Sequence, residues 1–237
     1  LNELFLLVTV GEFNSGKSSL LNALLGGPFL TEGVTPTTSK INLIKHGPTH
    51  TVTPSAHYKD TEIITIPSEG WLQDNVYLVD TPGSNAVLRS HQQITEHFVP
   101  RSDLVLFITS CDRPFSESER QFLSHIRRWN KKVVLVVSKV DILRSDEDVR
   151  KVLDFVANCY AEFMGAQAKV FPVSAMLGRE AKQLRGKKGR AITRANDLWA
   201  KSGMGPLEDF ITSTLSSTER QRLKMLNPLG VAEDVVA

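Results

Sequence analysis

Short continuous apolar runs alternate along this chain with longer stretches of helical period. Leu4–Val10, Leu104–Ser110 and Val133–Ser138 are apolar almost throughout. Runs of that length and character predict strands buried on both faces, as at the centre of a parallel sheet. Lys40–Ile44 is shorter and mixed, and predicts an edge strand. Thr61–Pro67 and Val76–Val79 predict a neighbouring pair joined through Glu69 and Gly70, and Lys169–Val173 a last strand. Between the strands the period changes. Ser18–Leu25 predicts a first helix. Ser116–Asn130 opens with Ser116 and Glu119 at capping-box spacing and lines up Phe122, Leu123, Ile126 and Trp129 on one face. Asp146–Met164 does the same with Val149, Val152, Leu153, Val156, Tyr160 and Phe163. A final helical pattern begins at Pro206 and carries Leu207, Phe210, Ile211 and Leu215, continuing through Glu219–Leu226. Strands alternating with helices predict an α/β fold with a doubly wound, mostly parallel sheet. We expect this domain over residues 1–204 and a C-terminal helical segment over 205–237, part of a helical bundle.

One segment breaks the alternation. Gly178–Arg194 crowds Arg179, Lys182, Arg185, Lys187, Lys188, Arg190 and Arg194 around Gly186 and Gly189. It reads as a mobile basic loop, solvated or in contact with anionic lipid headgroups or nucleic acid.

The first predicted strand runs into Gly11-Glu12-Phe13-Asn14-Ser15-Gly16-Lys17-Ser18, and the first helix follows. Strand, glycine-bounded turn and helix are the context that the phosphate-binding pattern G-x-x-x-x-G-K-[ST] requires. Backbone N–H groups and the helix N-terminus converge there on an anion. Asn14, Ser15, Gly16, Lys17, Ser18 and Ser19 are therefore nucleotide-binding candidates, with Lys17 reaching the β- and γ-phosphates and Ser18 offering a hydroxyl to Mg²⁺. Downstream, Asp80-Thr81-Pro82-Gly83 ends a strand: Asp80 is placed to hold Mg²⁺ through water, and the Gly83 N–H to meet a γ-phosphate. Thr38, just before the next strand, is the expected third Mg²⁺ ligand, with Thr37 as the alternative. Lys17, Ser18, Thr38 and Gly83 make the expected catalytic set, and Ser18, Thr38 and Asp80 the metal set.

The base is read further on. Ser138-Lys139-Val140-Asp141 resembles the [NT]-K-x-D motif of GTPases, in which Asp141 accepts from guanine N1–H and the exocyclic amine. Ser138 stands where Asn or Thr is usual, which is expected to loosen the tie to the phosphate loop and to weaken GDP retention. Ser174 and Ala175 end the following strand and resemble the segment that contacts the guanine oxygen through its backbone. GTP or GDP with Mg²⁺ is the expected ligand.

Composition narrows little. The 237 residues are 41% hydrophobic and 23% charged, with a net charge of +2, so bulk charge gives no argument for nucleic-acid or membrane binding. Cys111 and Cys159 stand apart with no metal-ligand spacing. No apolar run approaches the roughly 20 residues of a membrane helix. The chain opens almost inside its first strand, so it is expected to be a soluble piece of a longer protein.

The loop and its flanks carry a closer likeness. Gly11 through Gly26, then Phe29-Leu30-Thr31-Glu32-Gly33-Val34-Thr35-Pro36-Thr37-Thr38, resemble the dynamin superfamily, nearest its fuzzy-onion and bacterial dynamin-like branch. Asp80–Asn85, His97–Leu104 and Asp112–Glu119 resemble the plastid members of that branch. The resemblance implies a GTPase that pairs through its nucleotide faces and remodels chloroplast membranes, thylakoid or envelope, through parts outside this chain. It implies a homodimer, with no nucleic-acid partner. The water-positioning residue is not evident: Ser84 follows Gly83 where Ras-like enzymes have glutamine, and Phe13 occupies a position that is often glutamine in dynamins. Asn14 matches the asparagine that helps hold K⁺ or Na⁺ in cation-activated GTPases. An Era- or MnmE-like GTPase associated with RNA or ribosomes is the alternative reading.

Overall fold

A computed structural model describes residues 4–33, 40–56, 60–67, 72, 75–81, 98–185 and 190–215. Eight strands form one sheet: β1 (Phe5–Val10), β2 (Ile41–His46), β3 (Thr51–Pro54), β4 (Thr61–Ile66), β5 (Val76–Asp80), β6 (Leu104–Ser110), β7 (Val133–Ser138) and β8 (Val170–Pro172). Their order across the sheet is β3-β4-β2-β5-β1-β6-β7-β8. The run from β5 through β8 is parallel throughout. β2 pairs antiparallel with β5 and parallel with β4, and β3 closes the edge antiparallel to β4.

The apolar runs explain the centre. In a strand, alternate side chains face opposite sides, so a continuous apolar run feeds two cores at once. Phe5 and Leu7 of β1, Leu104, Leu106 and Ile108 of β6, and Val134 and Val136 of β7 enter one cluster. Val8 and Val10, Val105 and Phe107, and Leu135 and Val137 enter the other. The first cluster is covered by α1 (Lys17–Leu25) through Leu20, Leu21 and Leu24, and by α6 (Met204–Thr214) through Met204, Leu207 and Ile211. The second is covered by α2 (Glu117–Arg127) through Phe122, Leu123 and Ile126, and by α3 (Asp146–Met164) through Val156 and Tyr160. Both helices of the second layer start as their sequences require. Ser116 and Glu119 form the expected capping box on α2. Ser145 caps α3, whose far end stops at Gly165 in the left-handed conformation.

Two expectations about the sheet are corrected. Lys40–Ile44 does not give an edge strand: β2 lies inside the sheet, between β4 and β5, so β4 and β5 are not neighbours. The edge is β3, exposed at all four positions. One polar residue that made β2 look like an edge has a cause across the sheet, since Asn42 stands opposite Asp80 in the β2–β5 pairing.

The basic segment is corrected too. Gly178–Arg194 is largely helix: α4 (Ala175–Leu184) and α5 (Arg190–Ser202) cover all of it outside 185–189. Gly178 is buried in α4 for packing: a Cβ there would lie 2.6 Å from Met204 Cγ. Three of its charges are paired, Arg179 with Glu32, Lys182 with Glu208 and Arg194 with Glu180, while Arg185 lies 4.5 Å over the Trp199 ring. Lys187 and Lys188, and the continuation of the last helix beyond Leu215, lie outside the described residues. No helix among the described residues is long and apolar enough to cross a membrane.

Candidate functional site

Every described candidate sits at the carboxyl end of a strand, along the crevice where ligands bind in open α/β sheets. β1 delivers the phosphate loop. Gly11, at φ 155°, passes so close to β6 that a Cβ would lie 2.1 Å from the Ile108 carbonyl oxygen. Gly16 begins α1 at φ 88°, a left-handed conformation suited to glycine. Among the described residues no side chain caps α1, and its first turn carries no acidic residue. The N–H groups and positive dipole end of this helix are therefore left for an anion in the crevice.

Lys17 is buried in that loop, its Nζ donating to the carbonyls of Gly11 at 3.1 Å and Glu12 at 2.8 Å. Burial pulls its pKa down to about 8, against the opposing charges of Asp80, Glu119 and Glu12. Asp80, at the end of β5, is fully buried. Two threonines lace the strands beneath it: Thr9 Oγ1 donates to Val79 O at 2.9 Å and Thr81 Oγ1 to Thr9 O at 2.8 Å. The Ser18 hydroxyl donates to Asp80 Oδ2 at 2.9 Å. The other oxygen, Oδ1, is buried with no hydrogen-bond partner among the described residues. Burial pushes the Asp80 pKa up to about 6, opposed by Lys17, Ser18 and Asn42.

A buried carboxylate with one unpartnered oxygen beside a serine hydroxyl is a hard-oxygen donor set, and it fits Mg²⁺. The two metal ligands expected from positions far apart in the chain, Ser18 and Asp80, are thus in contact. Thr38 and Gly83, the other members of the expected metal and catalytic sets, lie outside the described residues, as do Thr37 and Ser84.

The remaining loop candidates divide by environment. Asn14 is exposed and left-handed at φ 60°. Ser15 is buried, its Oγ without a partner among the described residues. The Ser19 hydroxyl donates to Glu32 Oε2 at 2.6 Å, so the contact it retains for a nucleotide is its backbone N–H.

Ser138 bears on the expected loosening. Its Oγ donates to the Ser15 carbonyl at 2.6 Å, so the tie between the base-reading motif and the phosphate loop is present with serine. Lys139 follows in the left-handed region at φ 59°, and its carbonyl accepts the Cys111 thiol at 3.0 Å. That geometry turns the chain into a single 3-10 turn, Val140–Ile142, and leaves Asp141 exposed at its start. Ser174 is buried: its hydroxyl caps α4 by accepting the Leu177 N–H at 3.2 Å, and its N–H donates to Ser202 O at 2.8 Å. Ala175 is the first residue of α4, where the N–H has no partner within its own helix.

Glu119 was legible in the sequence only as a helix cap. It is almost fully buried and accepts from Thr109 Oγ1 at 2.9 Å and Ser116 N–H at 3.0 Å. Burial pushes its pKa up to about 7, with the hydrogen bonds from Thr109 and Ser116 opposing. Glu12, its neighbour in the phosphate loop, accepts the Ser118 hydroxyl at 2.8 Å. The loop is thereby braced by α2 as well as by β7.

Comparison with known proteins gives this arrangement a lineage. The probable transmembrane FZO-like chloroplastic GTPase of Arabidopsis thaliana is 36% identical over 250 residues, covering 100% of this chain and 27% of that protein. An uncharacterized protein of a Caldicellulosiruptor strain is 30% identical over 204 residues, 75% of this chain and 50% of its own length. The chain thus spans from about a quarter to half of these relatives. Among solved structures, an oligomerised bacterial dynamin pair superposes with a TM-score of 0.73 at 19% identity, over 99% of this chain and 42% of that one. The fold is shared across that distance. The dynamin family model matches residues 7–63 and 51–140, more than half of the sequence, and the chain belongs to the dynamin family.

Proposed function

We propose that this chain is the GTP-binding and GTP-hydrolysing domain of a dynamin-like protein that remodels or fuses chloroplast membranes. The observation that carries the reading is the contact between Ser18 and Asp80 beneath an uncapped helix N-terminus. The likeness to the chloroplastic FZO-like protein supports the location.

Phosphoryl transfer from GTP to water demands positioning and charge neutralisation more than covalent chemistry by the protein. The Gly11–Ser18 backbone and the α1 N-terminus would cradle the phosphates. Lys17, drawn off Gly11 and Glu12, would meet the β- and γ-oxygens from a site whose burial strengthens that attraction. Mg²⁺ would be held by Ser18 and Asp80, with Thr38 as the expected further ligand; when bound, it neutralises charge on the β- and γ-phosphates. Asp141 would select guanine through two donors that adenine lacks, and the Ala175 N–H would meet the guanine oxygen. Asn14, exposed at the lip of the loop, would help hold K⁺ or Na⁺; equal turnover in KCl, NaCl and choline chloride would exclude that role.

We assign the missing water-positioning function to pairing of two such domains across their nucleotide faces, as a homodimer. Lipid contact falls to parts of the protein beyond this chain. Support for the RNA-associated alternative came from the basic segment, and its arginines 179 and 194 are engaged by carboxylates of the chain itself. GTP turnover is to be measured against protein concentration, alongside sedimentation in GDP with aluminium fluoride. Specific activity rising with concentration, and a dimer only with the transition-state mimic, is the expected result. Concentration-independent turnover by a monomer would overturn the pairing mechanism.

A further inference from the structure

One half-buried carboxylate outside the metal set joins three elements of the site. Glu32 lies at the end of the described stretch after α1, shortly before Thr37 and Thr38. Its Oε2 accepts the Ser19 hydroxyl at 2.6 Å. Its Oε1 accepts from Asn22 Nδ2 at 2.6 Å and from Arg179 Nη1 at 2.8 Å. Ser19 adjoins the metal candidate Ser18. Arg179 stands one turn into α4, the helix that starts at the guanine-side Ala175.

The surroundings make this a fixed point. Asn22 is fully buried and grips the same stretch twice more, donating to Leu30 O and accepting Leu30 N–H, both at 2.8 Å. Leu30 is buried in the core cluster under α1. Further along α4, Lys182 Nζ donates to Leu24 O at 2.9 Å and pairs with Glu208 of α6. α4 is therefore fastened near both ends of the phosphate helix. An isolated surface ion pair would contribute little. Glu32 differs because three donors converge on it and together hold its carboxyl below the usual range, despite the burial that would raise it.

We infer that Glu32, held by Ser19, Asn22 and Arg179, is a positioning residue for hydrolysis: it sets where the chain leaves α1 towards Thr37 and Thr38, and it ties that point to the guanine-side helix. The inference rests on the hydrolase reading above. Glu32 touches neither phosphate nor metal in this role. It acts through the chain it anchors, and a displacement of about 1 Å at a reacting centre is enough to cost up to about 10²-fold in rate.

The test is GTP turnover per active site for wild type, Glu32→Ala, Arg179→Ala and Arg179→Lys, with active sites counted by titration with a fluorescent GDP analogue. Expected is a fall in kcat of about tenfold or more for Glu32→Ala, within the range for misplacement, with its GDP affinity within about threefold of wild type. Arg179→Ala should fall less, because Ser19 and Asn22 still hold Glu32, and Arg179→Lys should recover most of that loss. Unchanged kcat in Glu32→Ala would overturn the inference. So would a parallel loss of GDP binding, which would mean that the cluster only keeps the domain folded. A wild-type chain that binds GDP and turns over no GTP would instead overturn the hydrolase reading, and the inference with it.

Discussion

The two ends of the crevice proposed to hold the nucleotide are built by different means. At the phosphate end, Lys17, Asp80 and Ser15 are buried, and desolvation moves both charged groups from their ordinary pKa values. At the base end, Asp141 is exposed and is placed by backbone geometry: the left-handed Lys139, the Cys111 thiol on its carbonyl, and the Val140 N–H donating to Val173 O at 3.3 Å. The contrast fits the work proposed for each end. Charge stabilisation gains strength from a low-dielectric site. Reading a base edge needs a carboxylate at a fixed position with open access. Among the described residues, the hydrogen bond from Ser138 to Ser15 joins the two ends directly.

That contrast can be broken from either side. The largest effect is expected at the buried end. Lys17→Ala removes the cation aimed at developing charge and should lower kcat/KM for GTP by about 10²–10³-fold, the range for losing one such group. Asp141→Asn attacks the other end. It replaces two charge-assisted hydrogen bonds, worth about 1.5–3 kcal/mol each, and should reduce the preference for GTP over ATP by about 10²-fold in competition binding while leaving the fold intact. Ser138→Ala cuts the link between the ends. A hydrogen bond of about 1 kcal/mol predicts a roughly fivefold loss of GDP affinity by fluorescence titration, without change in base selectivity.

The smallest effect is on stability and concerns the brace at Glu119. Its pKa of about 7 in the folded chain stands above the unfolded value of 4.5. Between those limits the folded chain keeps a proton that the unfolded chain releases, so Glu119 makes stability fall as pH rises through that window. Asp80, raised from 3.8 to about 6, acts in the same direction at lower pH. Thermal melts should therefore show wild type losing stability between pH 6 and 7 relative to Glu119→Gln, which carries no such titration. Parallel profiles for the two would contradict a buried, protonatable Glu119.

The phosphate end was legible because its motif is contiguous and its flanks declare strand and helix. β1, α1, α2 and α3 follow from apolar period and caps, and Asp146–Met164 matches its observed bounds. What escaped had a different origin. β3 is four exposed residues, Thr51–Pro54, with no apolar alternation to show a strand. α4 and α5 were hidden by lysines and arginines and by Gly178. That glycine reads as a loop residue in sequence, yet it serves close packing against Met204. Glu32 and Asn42 escaped because nothing local marks them. Their roles come from partners such as Arg179 and Asp80, which lie far along the chain. Ser138 was visible, and what the sequence did not show is that a serine hydroxyl reaches the Ser15 carbonyl without a longer side chain.

The central proposal is that the half-buried Ser18 against the buried Asp80, together with an exposed Asp141, makes a magnesium-dependent, guanine-selective hydrolase site. Its most direct test is release of inorganic phosphate from GTP and from ATP, each with Mg²⁺ and with EDTA. Turnover of GTP in Mg²⁺ alone, with ATP left intact, is the result this account predicts. Equal use of ATP, or turnover that survives EDTA, would contradict it.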